Sequence, residues 1–400
     1  MSLTPVDEVL DKIKHQASLL VDEEEIDLSS ALGRILSQSI KSDINVPPSD
    51  NSAMDGYAID SVGVSKGTKL KVSDRIPAGT AGQVLLPGTA ARIFTGASIP
   101  AGADAVVMQE NTAVIDDEVE IHEHPQKGQN VRLCGQDIKA GEIILSLGRK
   151  LKPQDIGLLA SIGYARVPVY QKLKVAVLST GDELVCPSEI PPNRLKPGQI
   201  YNSNQYALIA LIEQLGMTAI NMEPVGDSFE ATEKAFLHAA EIADCIVSSG
   251  GVSVGEEDHV KAVVDKLGQV DIWKLAIKPG KPLAYGRVGK TPFFGLPGNP
   301  VSSFVTFNIV ARPYLMLCQG CPDDELTQIQ VPAGFEIKGG SRREYLRVKL
   351  EVDEHGHISL VNFANQGSGI LSSLSWADGL AEVEIGAKIS KGDAVKVRLL

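Results

Sequence analysis

Three short segments of this sequence place glycine, hydroxyl and acidic residues directly after apolar runs. Val175 to Leu178 leads into Ser179-Thr180-Gly181-Asp182-Glu183. Ile246-Val247 leads into a stretch from Ser248 to Asp258 that holds Ser249, Gly250, Gly251, Ser253 and Gly255. Phe293-Phe294 leads into Gly295-Leu296-Pro297-Gly298-Asn299-Pro300-Val301-Ser302-Ser303. Glycine lets the backbone approach a ligand closely, and the free amides of a helix start attract anions, so each segment can cradle a phosphate. A single turn of this kind is more often a plain strand-to-helix connection; three on one sheet favour binding.

Carboxylates sit in or near the same loops: Asp182, Glu183, Asp227 and Asp258, with Asp55 and Asp137 far upstream. Acids beside an anionic ligand repel it unless a hard cation lies between, and magnesium held by one or two carboxylates plus substrate phosphates meets that need. For Asp227 and Asp258, helix capping is an equally good reading. Lys274, Lys278 and Lys281 surround a Pro279-Gly280 turn. Lysine is a compact point charge suited to a tetrahedral oxyanion or a phosphoryl oxygen, whereas planar bidentate recognition favours arginine. The plain alternative is a solvated turn, against which the flanking prolines and apolar residues weigh.

Other chemistries find less support. Cys318 and Cys321 have no second pair to complete a zinc site and read as helix-end thiols, and His122, His124 and His259 lack metal-ligand spacing. No Gly-x-Ser-x-Gly elbow follows a strand. A net charge of −12 argues against a general nucleic-acid binder. No apolar run approaches the ~20 residues that cross a bilayer. The start of the chain lacks the pattern of a secretory signal, and five cysteines without framework spacing read as reduced thiols. A cytoplasmic protein without membrane or nucleic-acid partners is expected.

The elements that must position these loops follow from pattern. Thr4-Pro5 opens a first helix with Val6, Val9, Leu10 and Ile13 on its apolar side. From Val46 to about Lys139, short β-prone runs alternate with Gly and Pro turns, and a further helix over Gln154 to Ile162 ends at Gly163. From Lys172 to about Gly320 the rhythm is strand, loop, helix, closing on a long helix from Val301 to Cys318. Such alternation predicts a mostly parallel α/β sheet whose ligands gather beyond the carboxyl ends of its strands. The last ~80 residues alternate as a small β barrel does.

The loops already described, with Ser52-Ala53-Met54-Asp55-Gly56-Tyr57-Ala58, Arg92-Ile93-Phe94-Thr95-Gly96-Ala97, Val131-Arg132 with Gly135 and Asp137, and Lys278 to Pro282, resemble the molybdopterin molybdenumtransferase (MoeA) family. The E-domain of gephyrin shares these segments. The resemblance runs along essentially the whole chain and implies a multidomain α/β plus β fold in four parts. These are an elongated helical domain from residues 1–45 and 140–171, an inserted β domain at 46–139, a molybdopterin-binding α/β domain at 172–321, and a C-terminal β barrel at 322–400.

The implied reaction puts molybdate onto the dithiolene of adenylylated molybdopterin and releases AMP, with magnesium as cofactor. A homodimer is implied, its cleft shared between the α/β domain of one subunit and the inserted domain of the other, with a molybdopterin adenylyltransferase as upstream partner. Carried over by motif, Asp55, Thr95, Asp137, Glu183, Asp227, Asp258, Lys274 and Lys278 match the catalytic positions, and Glu183, Asp227 and Asp258 the magnesium ligands. Thr180, Gly181, Asp182, Ser249, Gly250, Gly251, Ser253 and Gly255 match substrate contacts on the first two loops. Lys281, Pro297, Asn299, Pro300, Ser302 and Ser303 match those further along. In the barrel, Arg343 is chosen from Arg342-Arg343-Glu344 and Ser368 from Gln366-Gly367-Ser368. The rival readings are an adenylyltransferase, whose fold the α/β region also resembles, and a noncatalytic gephyrin-like scaffold.

Overall fold

The computed structural model describes residues 3–251, 259–322 and 326–400, so Ser253, Gly255 and Asp258 lie outside the described residues. Helix α1, Val6–His15, carries Asp7 and Glu8 in its first turn and Lys12, Lys14 and His15 in its last, matching the helix dipole. Its buried face, Val6, Val9 and Ile13, joins the core of the α/β sheet and packs on the distal end of a later helix, Arg312–Cys318. Beyond α1 the chain is held by short antiparallel strand pairs, Glu23–Asp27 with Arg166–Tyr170 and Ile40–Lys41 with Ile143–Leu145. Helix α2, Pro153–Ser161, lies among them, and Leu36, Ile40, Leu145, Leu159 and Val169 share one apolar cluster. Gly163, at φ +86°, comes just after the helix end in the left-handed conformation that glycine tolerates.

A six-stranded sheet fills the inserted segment: β1 Gly56–Ile59, β2 Lys69–Ile76, β3 Thr89–Ile93, β4 Ala105–Met108, β5 Thr112–Ile115 and β6 Glu118–Ile121. Their order is β4-β1-β3-β2-β6-β5. Because β1 and β3 run antiparallel with Gly56 opposite Ile93, the residue before β1 and the residues after β3 emerge at one edge. That register brings Asp55 to Thr95.

The α/β sheet comprises β7 Lys174–Ser179, β8 Thr218–Asn221, β9 Cys245–Ser249, β10 Gly268–Lys274, then, beyond a two-residue strand β11 Ile277–Lys278, β12 Pro282–Val288 and β13 Thr291–Leu296. It is flanked by α3 Ser203–Gln214, α4 Phe229–Ile242, α5 His259–Leu267 and the long α6 Pro300–Cys318. The order β8-β7-β9-β13-β12-β10 is parallel through β13, while β12 and β10 run antiparallel at one edge. The sheet is thus mostly parallel as its alternation predicts; the antiparallel edge comes from the segment around Lys274, whose charges the sequence shows more plainly than its strands. Ser179 lies opposite Ser249, and Ser249 opposite Leu296, so the three glycine loops leave the sheet side by side. Helix α6 is long and apolar because most of it is core, and one π turn, Phe307–Ala311, interrupts it.

The C-terminal sheet has β14 Gln328–Pro332, β15 Arg343–Val352, β16 Ile358–Asn362, β17 Gly379–Val383 and β18 Ala394–Leu399, around Leu346, Val348, Leu360, Val383 and Val397. Strand β11 leaves the α/β region and joins this sheet, with Ile277 opposite Arg343 and Lys278 opposite Glu344 in parallel register. A short helix, α7 Ser372–Trp376, comes after a loop that returns toward α6.

Asp155 in the first turn of α2 supplies the first test. It accepts from the Lys152 amide at 2.9 Å and from Arg149 through Nε at 3.0 Å and Nη2 at 2.8 Å. Burial pushes its pKa up, but the Arg149 and Lys152 bonds together outweigh burial and hold it below the usual carboxylate value. With the folded value depressed, the unfolded chain binds more protons, so this contribution is complete above about pH 4 and fades as pH falls through the folded value. Asp155→Ala is expected to cost about 1–2 kcal/mol at neutral pH. Urea unfolding measured at neutral and at strongly acid pH should show the difference shrinking in acid; an equal difference at both would refute the ion-pair account.

Candidate active site

Where the three loops meet the C-terminal sheet there is a cavity of about 710 Å³. Glu183 reaches it from the loop after β7, Gly250 and Gly251 from the loop after β9, and Pro297, Gly298, Asn299 and Ser302 from the turn into α6. Lys278 to Pro282 form another wall, and Arg342, Gln366, Gly367 and Ser368 close it from the C-terminal sheet.

Local rules explain most of these placements. Pro300 opens α6, and the Asn299 side chain makes no capping hydrogen bond. Instead, the Val301 amide donates to the Ser368 carbonyl at 3.0 Å, tying the helix start to the C-terminal loop. Gly280 has φ +95°, and a Cβ there would stand 2.7 Å from Thr306 Oγ1, so only glycine lets the lysine-bearing turn settle on α6. Lys278 Nζ donates to Glu344 Oε2 at 2.9 Å; that carboxylate is buried while the lysine is half exposed. Arg342 donates to the Ile277 carbonyl at 3.1 Å. The hydroxyls of Ser303 and Thr306 are buried in α6 without a hydrogen-bond partner among the described residues.

The acids fall into two groups. Asp182 and Asp227 interlock: the Asp227 amide donates to Asp182 Oδ1 at 3.0 Å, and the Asp182 amide to Asp227 Oδ2 at 3.2 Å. That exchange fixes the Asp227 loop beside Glu183. In the inserted sheet, Asp55 Oδ1 accepts from the Thr95 amide at 2.8 Å and the Thr95 hydroxyl at 2.9 Å. The amide first and the hydroxyl second hold the exposed Asp55 below its ordinary pKa. Asp137 is exposed and hangs from Val46, whose carbonyl accepts its amide at 3.0 Å. No trio of metal-ligating side chains occurs among the described residues.

Of the residues picked out in the sequence, Glu183, Gly250, Gly251, Lys278, Lys281, Pro297, Asn299, Ser302 and Ser368 share this wall. Thr180, Gly181, Asp182, Ser249 and Asp227 stand in adjoining loop ends, and Pro300 and Ser303 in the first turn of α6, without lining the cavity. Asp55, Thr95 and Asp137 do not line it in the single chain. Lys274 ends the edge strand β10 opposite Pro282 and does not line it either.

Arg343 requires correction. Its guanidinium forks onto Asp7 of α1 with two bonds of 2.8 Å and reaches Glu384 at 3.1 Å, and the Asp7 bonds raise its pKa. Successive residues of an extended chain face opposite ways, so Arg342 is the one that enters the cavity. Gln366 and Gly367 also line it, in the segment Gln366-Gly367-Ser368 that resembles the family and from which Ser368 alone is chosen.

Comparison with known proteins divides the chain into three matched parts. Residues 4–163 match the MoeA N-terminal region (domain I and II), 176–317 a probable molybdopterin binding domain, and 330–400 the MoeA C-terminal region (domain IV). The molybdopterin molybdenumtransferase of Haemophilus influenzae is 40% identical, over 92% of this chain and 91% of its own. The chain belongs to the MoeA family. Within it, the molybdopterin molybdenumtransferase of a Nostoc species is 37% identical over 94% of this chain and 88% of its own. A crystal structure of the molybdopterin biosynthesis MoeA protein from Pyrococcus horikoshii superposes with a TM-score of 0.85 at 28% identity, covering all of both chains. The MoeA-like multidomain fold, with its α/β domain and C-terminal domain, is therefore the fold of this chain.

The close approach of Gly280 gives this MoeA-family site its own test. In Gly280→Ala the left-handed backbone and the contact with Thr306 are each unfavourable, and the expected loss is about 1–3 kcal/mol. Differential scanning calorimetry should show a lowered transition, whereas Gly289→Ala, in a φ +60° turn with nothing near its Cβ, should lose less. Equal losses would mean that packing on α6 contributes nothing.

Proposed function

We propose that this chain is a molybdopterin molybdenumtransferase that joins molybdate to the dithiolene of adenylylated molybdopterin and releases AMP. The observation that carries the reading is the convergence of Lys278, Lys281, Arg342 and the start of α6 with two glycine loops around one cavity. Glu344 neutralises Lys278, which leaves Lys281 and Arg342 as the cations without an acidic partner among the described residues. A dianionic tetrahedral oxyanion fits there, with Ser302 and Ser368 as hydrogen-bonding neighbours. The glycine loops after β7 and β9 take the diphosphate.

In the joining step two Mo–S bonds form and one oxo group leaves as water with the two thiol protons. Water adding across the diphosphate gives AMP and the phosphorylated pterin. Lys281 and Arg342 draw charge from the departing oxygen, and the helix-start amides hold the anion in place. Glu183 on the wall and Asp227 on the adjoining loop would hold a magnesium ion, as carboxylates beside phosphates do. Such an ion would supply countercharge to the diphosphate. Glu183 and Asp227 would orient that charge, and Asp182 fixes the Asp227 loop.

Asp55, Thr95 and Asp137 belong, in this reading, to the cleft of a homodimer, presented by the partner's inserted sheet. The paired Asp55 and Thr95 at one exposed edge support it. A molybdopterin adenylyltransferase supplies the substrate. Five free cysteines fit a reducing, cytoplasmic setting.

Purified protein given adenylylated molybdopterin, magnesium and molybdate is expected to release AMP in proportion to molybdate and to yield cofactor competent to activate an apo-enzyme. AMP release indifferent to molybdate would end the proposal. The shared cleft has a separate test. Asp55→Ala and Glu183→Ala chains, each nearly inactive, should regain up to about a quarter of wild-type activity when randomly reassorted, because about half of the dimers are then heterodimers with one of their two clefts intact. Verified heterodimers with no recovery would show that each subunit works alone.

A further inference from the structure

Behind the C-terminal wall of the cavity lies Arg347, on β15, with only 1% of its surface exposed. No carboxylate among the described residues pairs with it. Its Nε donates to the Ser373 hydroxyl at 3.0 Å, Nη2 to the Gly367 carbonyl at 3.2 Å, and Nη1 to the Tyr345 carbonyl at 3.4 Å. Ser373 is itself buried and donates to the Ile370 carbonyl at 2.6 Å. Burial draws the Arg347 pKa down to about 10, which leaves the guanidinium charged at neutral pH. Burying a charge without an ionic partner is costly, so its presence here asks for more than packing.

The loop it holds is clamped twice. Gln366 Oε1 accepts from the Arg347 amide at 3.0 Å, and Gln366 Nε2 donates to the Arg347 carbonyl at 3.0 Å. Nη2 then fixes the next carbonyl, that of Gly367. The Gly367–Ser368 peptide is not among the cis bonds of the chain, so its carbonyl and the Ser368 N–H point in opposite directions. With the carbonyl turned inward to Arg347, the amide is turned away from it. No group among the described residues accepts from that amide, although Gly367 and Ser368 both line the cavity. One peptide unit further, the Ser368 carbonyl holds the first turn of α6.

We propose that Arg347 is a positioning residue for the oxyanion: by holding the Gly367 carbonyl inward it presents the Ser368 amide to the bound oxyanion and fixes the loop that caps α6. The guanidinium adds a cation behind the wall that no acid among the described residues offsets. Arg347 touches no substrate; it acts through a peptide group, as preorganised dipoles do in sites that stabilise anions. The inference rests on the proposed oxyanion subsite.

The test titrates sodium molybdate, and separately adenylylated molybdopterin, into full-length wild type, Arg347→Met and Arg347→Lys, with calorimetric readout. Arg347→Met should weaken molybdate binding about tenfold, the worth of one well-directed bond to a charged group, and change pterin affinity less than about twofold. Arg347→Lys, able to reach one carbonyl, should recover part of the loss. A uniform loss for both ligands would indicate general damage to the fold and overturn the inference, as would molybdate affinity unchanged by Met. Should Arg347→Met fail to fold by circular dichroism, Ser373→Ala removes one of its anchors and is expected to weaken molybdate binding by about two- to threefold without affecting the pterin; no effect there overturns it as well. Wild type that binds molybdate but releases no AMP would sink the transferase reading alone. Wild type and Arg347→Met that bind molybdate equally would sink the inference alone, and wild type that binds none would remove the subsite itself.

Discussion

The cavity exists because a strand of two residues changes sheets. After β10 closes the antiparallel edge of the α/β sheet, Ile277 and Lys278 pair in parallel with Arg343 and Glu344 of the C-terminal sheet. Neighbouring main-chain bonds reinforce the junction: Thr4 donates to the Lys274 carbonyl, Ala276 to that of Thr4, and Arg343 to that of Ala276. Buried backbone groups need partners, so these bonds hold the position of the C-terminal sheet as much as its apolar contacts do. Only with that sheet in place do Arg342 and the loop from Gln366 to Ser368 face the glycine loops. The helix α1, whose Asp7 fixes Arg343, completes the same junction from the start of the chain.

An acidic chain must keep its own carboxylates from occupying a cationic site, and the arrangement shows how. Glu382 and Glu384 engage Arg343 on the far side of β15 from Arg342. Glu344 does not line the cavity, and its charge is taken up by Lys278, whose ammonium it holds at the wall. The acid that does line the cavity, Glu183, comes from the loop after β7 and makes no ion pair with Lys281 or Arg342 among the described residues. Charges of one sign are thus sorted by strand alternation and loop origin within a few residues, and a net charge of −12 is compatible with anion binding.

Much of this was legible from residue order. Glycines after apolar runs located the three loops, since a parallel sheet exposes such loops at its carboxyl edge, and the segments around Asp55, Lys278 and Ser302 resembled one family together. What escaped was decided by facing rather than by identity. Arg342 and Arg343 are alike in type, and only the register of β11 against β15 says which looks inward. Lys274 sits close to Lys278 in sequence, yet it ends a strand in a different sheet. Arg347 carries no sequence mark at all, because a charged residue in an alternating run reads as solvent-facing until its burial is seen. The Asp182–Asp227 exchange likewise joins loops 45 residues apart and depends on the parallel pairing between them.

Several polar groups near the cavity are left without partners among the described residues: the hydroxyls of Ser303 and Thr306 on α6, that of Ser248 at the end of β9, and the Ser368 amide. Each unmet bond costs of order 1–3 kcal/mol when the group is buried, and Asn51 and Tyr345 carry the same cost elsewhere in the fold. Of these, the Ser368 amide is the one that belongs to a wall residue, and it has no internal bond to break when an anion arrives; the three hydroxyls do not line the cavity. The same reasoning links Gly280, which lets the lysine turn press onto α6, to Arg347, which turns a peptide outward from the opposite wall. In the proposed reading, donors fixed on both sides would separate a small tetrahedral ion from a phosphate of the larger substrate, since the two differ little in charge and must be separated by where donors stand.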